Sequence, residues 1–309
     1  MADSTDLSLR RFWRPRFWPV WLSLLCLRLI ALLGFRAQIR LGRRFGRLLG
    51  RIQRRQNKIA RRNLEVCFPR LDEAARKTLL LRHFESIGLS FVEMAIGWYS
   101  PLAKLRRLVD VRGLENLEAA LAKGKGALLV GAHFTPLETC VAALEDVGEG
   151  FSIMYRPQRN PMMDVMIRRG RRRFAHTQIA RDNVRALLKS LKRNAAVIYF
   201  PDQTYLGNQS ELLPFFGEPA LTNTATSKLA QISGAAVLPF HYRRRNDDSG
   251  YLVEIGAALE AFPSTDAGAD TRRLVAILER DIEIAPEQYL WVYKKFKRRP
   301  IGFADLYDS

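Results

Sequence analysis

Hydrophobic and polar positions divide the chain into two regimes. The first begins with a 19-residue apolar run, Phe17 to Phe35 (FWPVWLSLLCLRLIALLGF), broken by one charge at Arg28. Its length just reaches the ~30 Å hydrocarbon core of a bilayer. Arginines flank both ends, Arg10, Arg11, Arg14 and Arg16 before it and Arg36, Arg40 and Arg43 after it, so the charge bias that orients spanning helices has no direction here. No small-residue cleavage site follows, which argues against a signal peptide. A helix dipped into one leaflet, with Arg28 snorkelling and Trp13, Trp18 and Trp21 at headgroup level, suits the pattern as well as a spanning helix does.

Residues 36–62 continue as a basic amphipathic pattern. At ~100° per residue, eleven cations from Arg36 to Arg62 share a stripe of roughly 120°, while Leu41, Phe45, Leu48, Ile52 and Ile59 gather on the adjoining face. A merely solvated face would mix in acids; this one has none, as expected for a helix on an anionic membrane. Gly42, Gly46 and Gly50 recur every fourth residue and imply either a break or a close helix contact.

From about residue 71 the periodicity is that of a long helix, and then it alternates. Short apolar runs at 126–131, 151–155, 196–200, 236–240 and 251–255 read as strands, and helical patterns occupy 136–145, 161–173, 182–193 and 222–233. Alternation of this kind predicts an α/β fold, a central, mostly parallel sheet flanked by helices. RRRNDDSG, between the last two strands, reads as a hairpin connection. The simplest division is residues 1–63 as hydrophobic helix plus basic attachment segment and 64–309 as one α/β domain.

Charge sharpens the first regime. The formal net charge is +19, and residues 1–63 hold 16 Lys or Arg against Asp3 and Asp6, a net of +14. Nucleic-acid binding would be one explanation, yet no nucleic-acid motif is present and the cations sit beside an apolar 19-mer, so a membrane surface is the expected partner. Three scattered cysteines suit a reducing compartment, and no Cys/His cluster suggests a metal.

Candidate chemistry lies where strands end and helices begin, the usual edge for sites in open α/β sheets. In GALLVGAHFTPLETC the strand stops near Gly131, His133 occupies the turn, and Thr135-Pro136-Leu137-Glu138 has the form of a capping box. On one continuous helix His133 and Glu138 would point ~140° apart. With the histidine in the turn they can meet, and a histidine held by a carboxylate is an oriented general base. Tyr155-Arg156-Pro157 and Asn160 close the next strand, RRGRRR (168–173) follows, and FPDQTY (200–205) closes the third with Asp202 and Gln203. Cations beside a base suit an anionic substrate. Cys140, inside the helix, is expected to be core.

HFTPLE, MYRPQRNPMMD, RRGRRR, YFPDQTYLG, LPFFGEPALTNTATSKLAQISGA and APEQYLWVYKKFKRRP, together with RRQNKIARRNLEVCFPRLD near the N-terminus, resemble the lipid A biosynthesis late acyltransferases. The resemblance implies a glycerolipid-acyltransferase-like fold with an N-terminal membrane helix. It implies transfer of a fatty acyl chain from acyl-acyl carrier protein to a hydroxyl of a Kdo-bearing lipid A precursor. His133 would be the base, and Glu138 would hold it. Arg156, Asn160, Arg171 and Asp202 match later motif positions and would bind substrate or shape the site. No cofactor or metal is implied, since the thioester arrives activated, and the location implied is the cytoplasmic side of the bacterial inner membrane. Glycerolipid acyltransferases more broadly carry H-x4-D, so Glu138 favours the lipid A branch. The alternative is a membrane acyltransferase with another, glycero- or glycosyl-lipid, acceptor.

Overall fold

Short strands buried along their whole length need helices on both faces, and the chain supplies them in alternation. The structure, a computed structural model, describes residues 8–145, 147, 151–204, 207, 209–300 and 302–307. Nine strands are present among these residues: β1 (Val109–Arg112), β2 (Ala127–Val130), β3 (Phe151–Tyr155), β4 (Ala175–Ala180), β5 (Ala196–Tyr199), β6 (Ser210–Phe215), β7 (Glu218–Asn223), β8 (Ala236–Arg244) and β9 (Tyr251–Ile255). Seven form the main sheet in the order β1-β9-β8-β2-β5-β3-β4. Every neighbouring pair is parallel except β8 and β9, the antiparallel hairpin expected from RRRNDDSG. The remaining two, β6 and β7, make a separate antiparallel hairpin.

The five apolar runs became β2, β3, β5, β8 and β9. Apolar patterning does not reveal β1 or β4, and the reason is their place at the two edges of the sheet. There a strand is covered only in part, so β1 is four residues of VDVR and β4 exposes His176 and Thr177. The helical pattern read from 222 starts later, at Ala225, because Glu218–Asn223 pairs as β7.

Eleven α-helices accompany the strands: α1 (Trp18–Leu32), α2 (Phe35–Ile52), α3 (Arg54–Cys67), α4 (Glu73–Tyr99), α5 (Leu102–Leu108), α6 (Leu114–Leu121), α7 (Leu137–Ala142), α8 (Pro161–Arg171), α9 (Val184–Lys192), α10 (Ala225–Ser233) and α11 (Ala267–Ile284). Side-chain alternation along the strands separates two cores. Leu129 and Ile198 face the larger one, with Phe84, Trp98 and Cys140; Leu128, Val130 and Val197 face the smaller, with Leu187, Leu191 and Leu229. Asp72 caps α4, its carboxylate accepting the Ala75 amide at 2.7 Å.

The basic stretch is two helices rather than one. The chain leaves helical geometry at Gln53 (ψ 64°), so the cations after it follow the separate axis of α3. The glycines do not cause this break. They mark close contact: a Cβ on Gly46 would lie 2.1 Å from the Phe84 carbonyl oxygen, and one on Gly88 2.2 Å from that of Gly42. Only bare backbone lets α2 and α4 approach so closely. The 63/64 division falls inside α3, where the Asn63 side-chain amide donates to the carbonyls of Trp291 (2.6 Å) and Tyr293 (2.8 Å).

Candidate active site

His133 sits three residues beyond β2, in a turn whose backbone is tied down from several directions. The His133 carbonyl accepts the Leu290 amide (3.0 Å), the Thr135 amide donates to Gln288 (2.9 Å), and Phe134 bridges to Tyr289. The Tyr242 hydroxyl donates to the Ala132 carbonyl and accepts the Phe134 amide at 3.2 Å. Burial drives the Tyr242 phenol well above its ordinary pKa, so it stays protonated and keeps donating. The imidazole meets the Phe200 ring edge-on, with centroids 5.3 Å apart.

The carboxylate that holds His133 is Asp202, not Glu138. Asp202 Oδ1 lies 2.6 Å from His133 Nδ1, and its Oδ2 accepts the His133 backbone amide at 3.2 Å. The pairing arises because β2 and β5 are parallel neighbours, which brings the segments just past both C-terminal ends to one edge. Asp202 is buried, which raises a carboxyl pKa. The charge and hydrogen bonds of His133, with the nearby Lys295, outweigh that burial and hold Asp202 below the usual range. The carboxylate therefore stays ionised, and a donor at Nδ1 leaves Nε2 as the acceptor. No hydrogen bond occupies Nε2 among the described residues, and the His133 side chain is 34% exposed.

Glu138 faces a different cluster. One carboxylate oxygen, Oε1, accepts from both Nε (2.8 Å) and a terminal nitrogen of Arg171; the other accepts the Trp98 indole N–H at 2.8 Å. Both oxygens are engaged, so Glu138 neither reaches His133 nor closes a capping box. The N-cap of α7 is Pro136, without a side-chain cap, and the Thr135 hydroxyl pairs with Ser86 instead (2.7 Å). Gly170 makes room for the arrangement: a Cβ there would lie 2.2 Å from the Trp98 ring. Arg173 is tied to Glu145 and to the Ser100 carbonyl, whereas Arg169 and Arg172 are exposed.

Two further candidates separate in character. Asn160 caps α8, its side-chain oxygen accepting the amides of Met162 (3.0 Å) and Met163 (3.3 Å). That accounts for its conformation without a substrate. Arg156 is exposed just past β3, and its guanidinium has no hydrogen bond or ion pair among the described residues. Cys140 is fully buried and its thiol is driven well above the ordinary pKa by burial, as an inert core residue. Of FPDQTY, Tyr205 lies outside the described residues.

Motif reading missed two residues. Trp98 comes from α4, with nothing in its surroundings to mark it. Lys295 is buried at 2% exposure, donates to the Asp202 carbonyl (2.8 Å) and lies 4.7 Å from the centre of the Phe215 ring. Burial lowers its pKa from 10.5 to about 8, against the raising influence of Asp202. The signal available for it was the cationic YKKFK run. Among the described residues no cluster of His, Cys, Asp and Glu could hold a metal.

Residues 8–298 match the family model for bacterial lipid A biosynthesis acyltransferase. The chain is 36% identical over 299 residues to a lipid A biosynthesis palmitoleoyltransferase of Escherichia coli K12, covering 96% of this chain and 97% of the relative. It is 35% identical to the lauroyltransferase of the same organism (95% and 96% covered) and 26% identical to its myristoyltransferase (95% and 91%). A solved 1-acyl-sn-glycerophosphate acyltransferase from Thermotoga maritima is similar at 14% identity and a TM-score of 0.39, covering 83% of this chain and 99% of that one. A match running almost end to end leaves no room for a non-enzymatic polyanion binder. The chain belongs to the bacterial lipid A biosynthesis acyltransferase family.

Proposed function

We propose that this acyltransferase moves a fatty acyl chain from acyl-acyl carrier protein to a hydroxyl of a Kdo-bearing lipid A precursor. It works at the cytoplasmic face of the inner membrane, with residues 1–63 as its attachment device. The observation that carries the mechanism is the 2.6 Å contact between His133 Nδ1 and Asp202, with Nε2 left open. Nε2 removes the proton of the acceptor hydroxyl as its oxygen attacks the thioester carbonyl. The thiolate of the carrier departs and takes that proton back from the imidazolium. Asp202, ionised throughout, holds the ring in the correct tautomer and offsets its charge.

Glu138 serves the same site through Arg171. By holding that guanidinium and Trp98 together, it fixes a cation between α7 and α8, where an anionic acceptor can meet it. Arg156, exposed and unpaired among the described residues, gives a second contact for phosphate or carboxylate. Asp202 thus takes the orienting part that sequence alone suggested for Glu138. The chemistry needs no cofactor, because the thioester is already activated. A glycerophospholipid acceptor would use the same base; the relatives, all named for lipid A biosynthesis, favour the lipid A precursor.

The test is transfer by the purified chain from an acyl carrier protein thioester to a Kdo-bearing lipid A precursor, read by mass spectrometry. One acyl group should be added, and His133→Ala should lower the rate by about 10²–10⁴-fold. Near-normal transfer by that variant would remove His133 from the reaction. Addition to a glycerophospholipid but not to the lipid A precursor would favour the other acceptor.

A further inference from the structure

We propose that α1 lies flat in one leaflet, fastened along the α/β domain, and does not cross the bilayer; its outward stripe is embedded among the acyl chains of an anionic membrane. The inference rests on the membrane-attached reading above and deepens it.

With the helical turn that leads into α1, the apolar helical stretch Pro15–Leu32 is 18 residues or about 27 Å, close to the ~30 Å hydrocarbon core, so length allows either placement and docking decides between them. Phe12 and Phe17 just ahead of the helix, and Val20 and Leu27 within it, are each 5% exposed and share the larger core with Phe84, Trp98 and Leu129. Ile30 and Ala31 pack against the same core, so the segment is attached from its first turn to its last. The Arg28 guanidinium lies over the Tyr99 ring, and the Gln38 side chain donates to the Ile30 carbonyl (2.8 Å), which fixes the turn into α2. Helix α1 touches both α4 and α8. Were it to cross, these neighbours would enter with it, including the arginines of α8, and charged groups at the bilayer centre cost several kcal/mol or more.

The opposite side of α1 has no cover. Trp18, Trp21, Leu22, Leu25, Leu29 and Leu32 fall within roughly 100° of the helix wheel, exposed from 36% at Trp21 to 82% at Leu32. Val20 and Leu27 project the other way. A second apolar face lies on α2, where Leu41, Phe45, Leu48 and Ile52 are exposed and Phe45 packs edge-on against exposed Phe91 of α4. Both faces therefore sit on helices fastened to α4. Their own sequence is cationic: no acid occurs between Asp6 and Glu65, and although Arg43 and Arg47 pair with Glu85 and Asp248, Arg10, Arg14, Arg16, Arg36, Arg40, Arg44 and Arg51 are exposed. A second copy would set these cations against their own kind, whereas an anionic lipid surface matches both the stripe and these cations. A flat α1 also places the Arg171–Glu138 pair one helix layer from lipid, since α8 carries Arg171 and touches α1.

Topology decides the matter. In a Cys26→Ser background, where Cys67 and Cys140 are buried, single cysteines go in at Ser8 or Arg10, before α1, and at the exposed Asp182 of the domain. Sealed inside-out inner-membrane vesicles and intact spheroplasts are treated with a membrane-impermeant maleimide. All three positions should label in the inside-out vesicles and none in spheroplasts. Labelling of Ser8→Cys and Arg10→Cys only in spheroplasts, with Asp182→Cys only in inside-out vesicles, would overturn the flat helix while leaving membrane attachment intact. A chain absent from the membrane fraction would bring down the membrane reading itself. For the occupant, the purified chain is floated with phosphatidylethanolamine–phosphatidylglycerol vesicles. Leu25→Glu with Leu29→Glu should lower the floated fraction at least tenfold without unfolding the chain. A stable dimer that does not float would show that the stripe meets a second copy, and would overturn the proposal.

Discussion

Asp202 Oδ1 and His133 Nδ1 stand 2.6 Å apart although 69 residues separate them along the chain. Replacing Asp202 with Asn keeps the shape but offers an amide that can stabilise the opposite tautomer, with the proton on Nε2. Transfer should fall about 10³–10⁴-fold, with KM for the acceptor little changed. Steady-state kinetics on the folded variant check this, and a loss below tenfold would mean that Asp202 does not orient the base.

Glu138→Ala strands Arg171, whose side chain is only 14% exposed, without its counter-charge. Loss of one partner of a buried pair costs about 3–5 kcal/mol, well beyond the loss of a helix cap. Chemical denaturation should show it. Glu138→Gln combined with Arg171→Met, which removes both charges, should recover much of the stability but not the activity.

Gly170→Ala places a methyl against the Trp98 ring and must displace it. Such overpacking costs about 1–3 kcal/mol, and the indole hydrogen bond to Glu138 is lost with it. Thermal denaturation of this variant should show the drop, and Trp98→Leu in the same chain should relieve the strain.

Arg156 is exposed and has no side-chain partner among the described residues, so Arg156→Ala should change stability by no more than about 0.5 kcal/mol. Its expected effect is a raised KM for the acceptor at nearly constant kcat. Unchanged kinetics would remove it from the binding surface.

Lys295 gives the alkaline pH dependence. Its pKa falls from 10.5 to about 8 on folding, because burial disfavours the charged form. Between those two values the unfolded chain binds more protons than the folded one, so this group makes stability rise with pH across that interval. Lys295→Met should abolish that increment, measured as the difference between the two melting-temperature curves over pH. Asp202 acts at the other end: its lowered pKa makes the His133 pairing stabilising above about pH 4, and that contribution is lost as pH falls through the folded value.

Much of this fold was legible in the pattern of residues. Strands β2, β3, β5, β8 and β9 are apolar runs because a covered sheet buries both of their faces. The hairpin, the long helix α4 and the apolar run that contains α1 were equally readable. Edge strands β1 and β4 were not, because partial cover leaves no continuous apolar signal.

At the site, local sequence determined where His133, the proposed base, stands: its place in the turn after a strand follows from chain-local patterning. Which carboxylate holds it was decided by tertiary structure alone. Glu138 is five residues from His133, and proximity along the chain favoured it. Helix α7 carries Glu138 toward Arg171 and Trp98, while the parallel pairing of β2 with β5 delivers Asp202 to Nδ1. Strand order is a long-range property, and no spacing of residues within one motif encodes it.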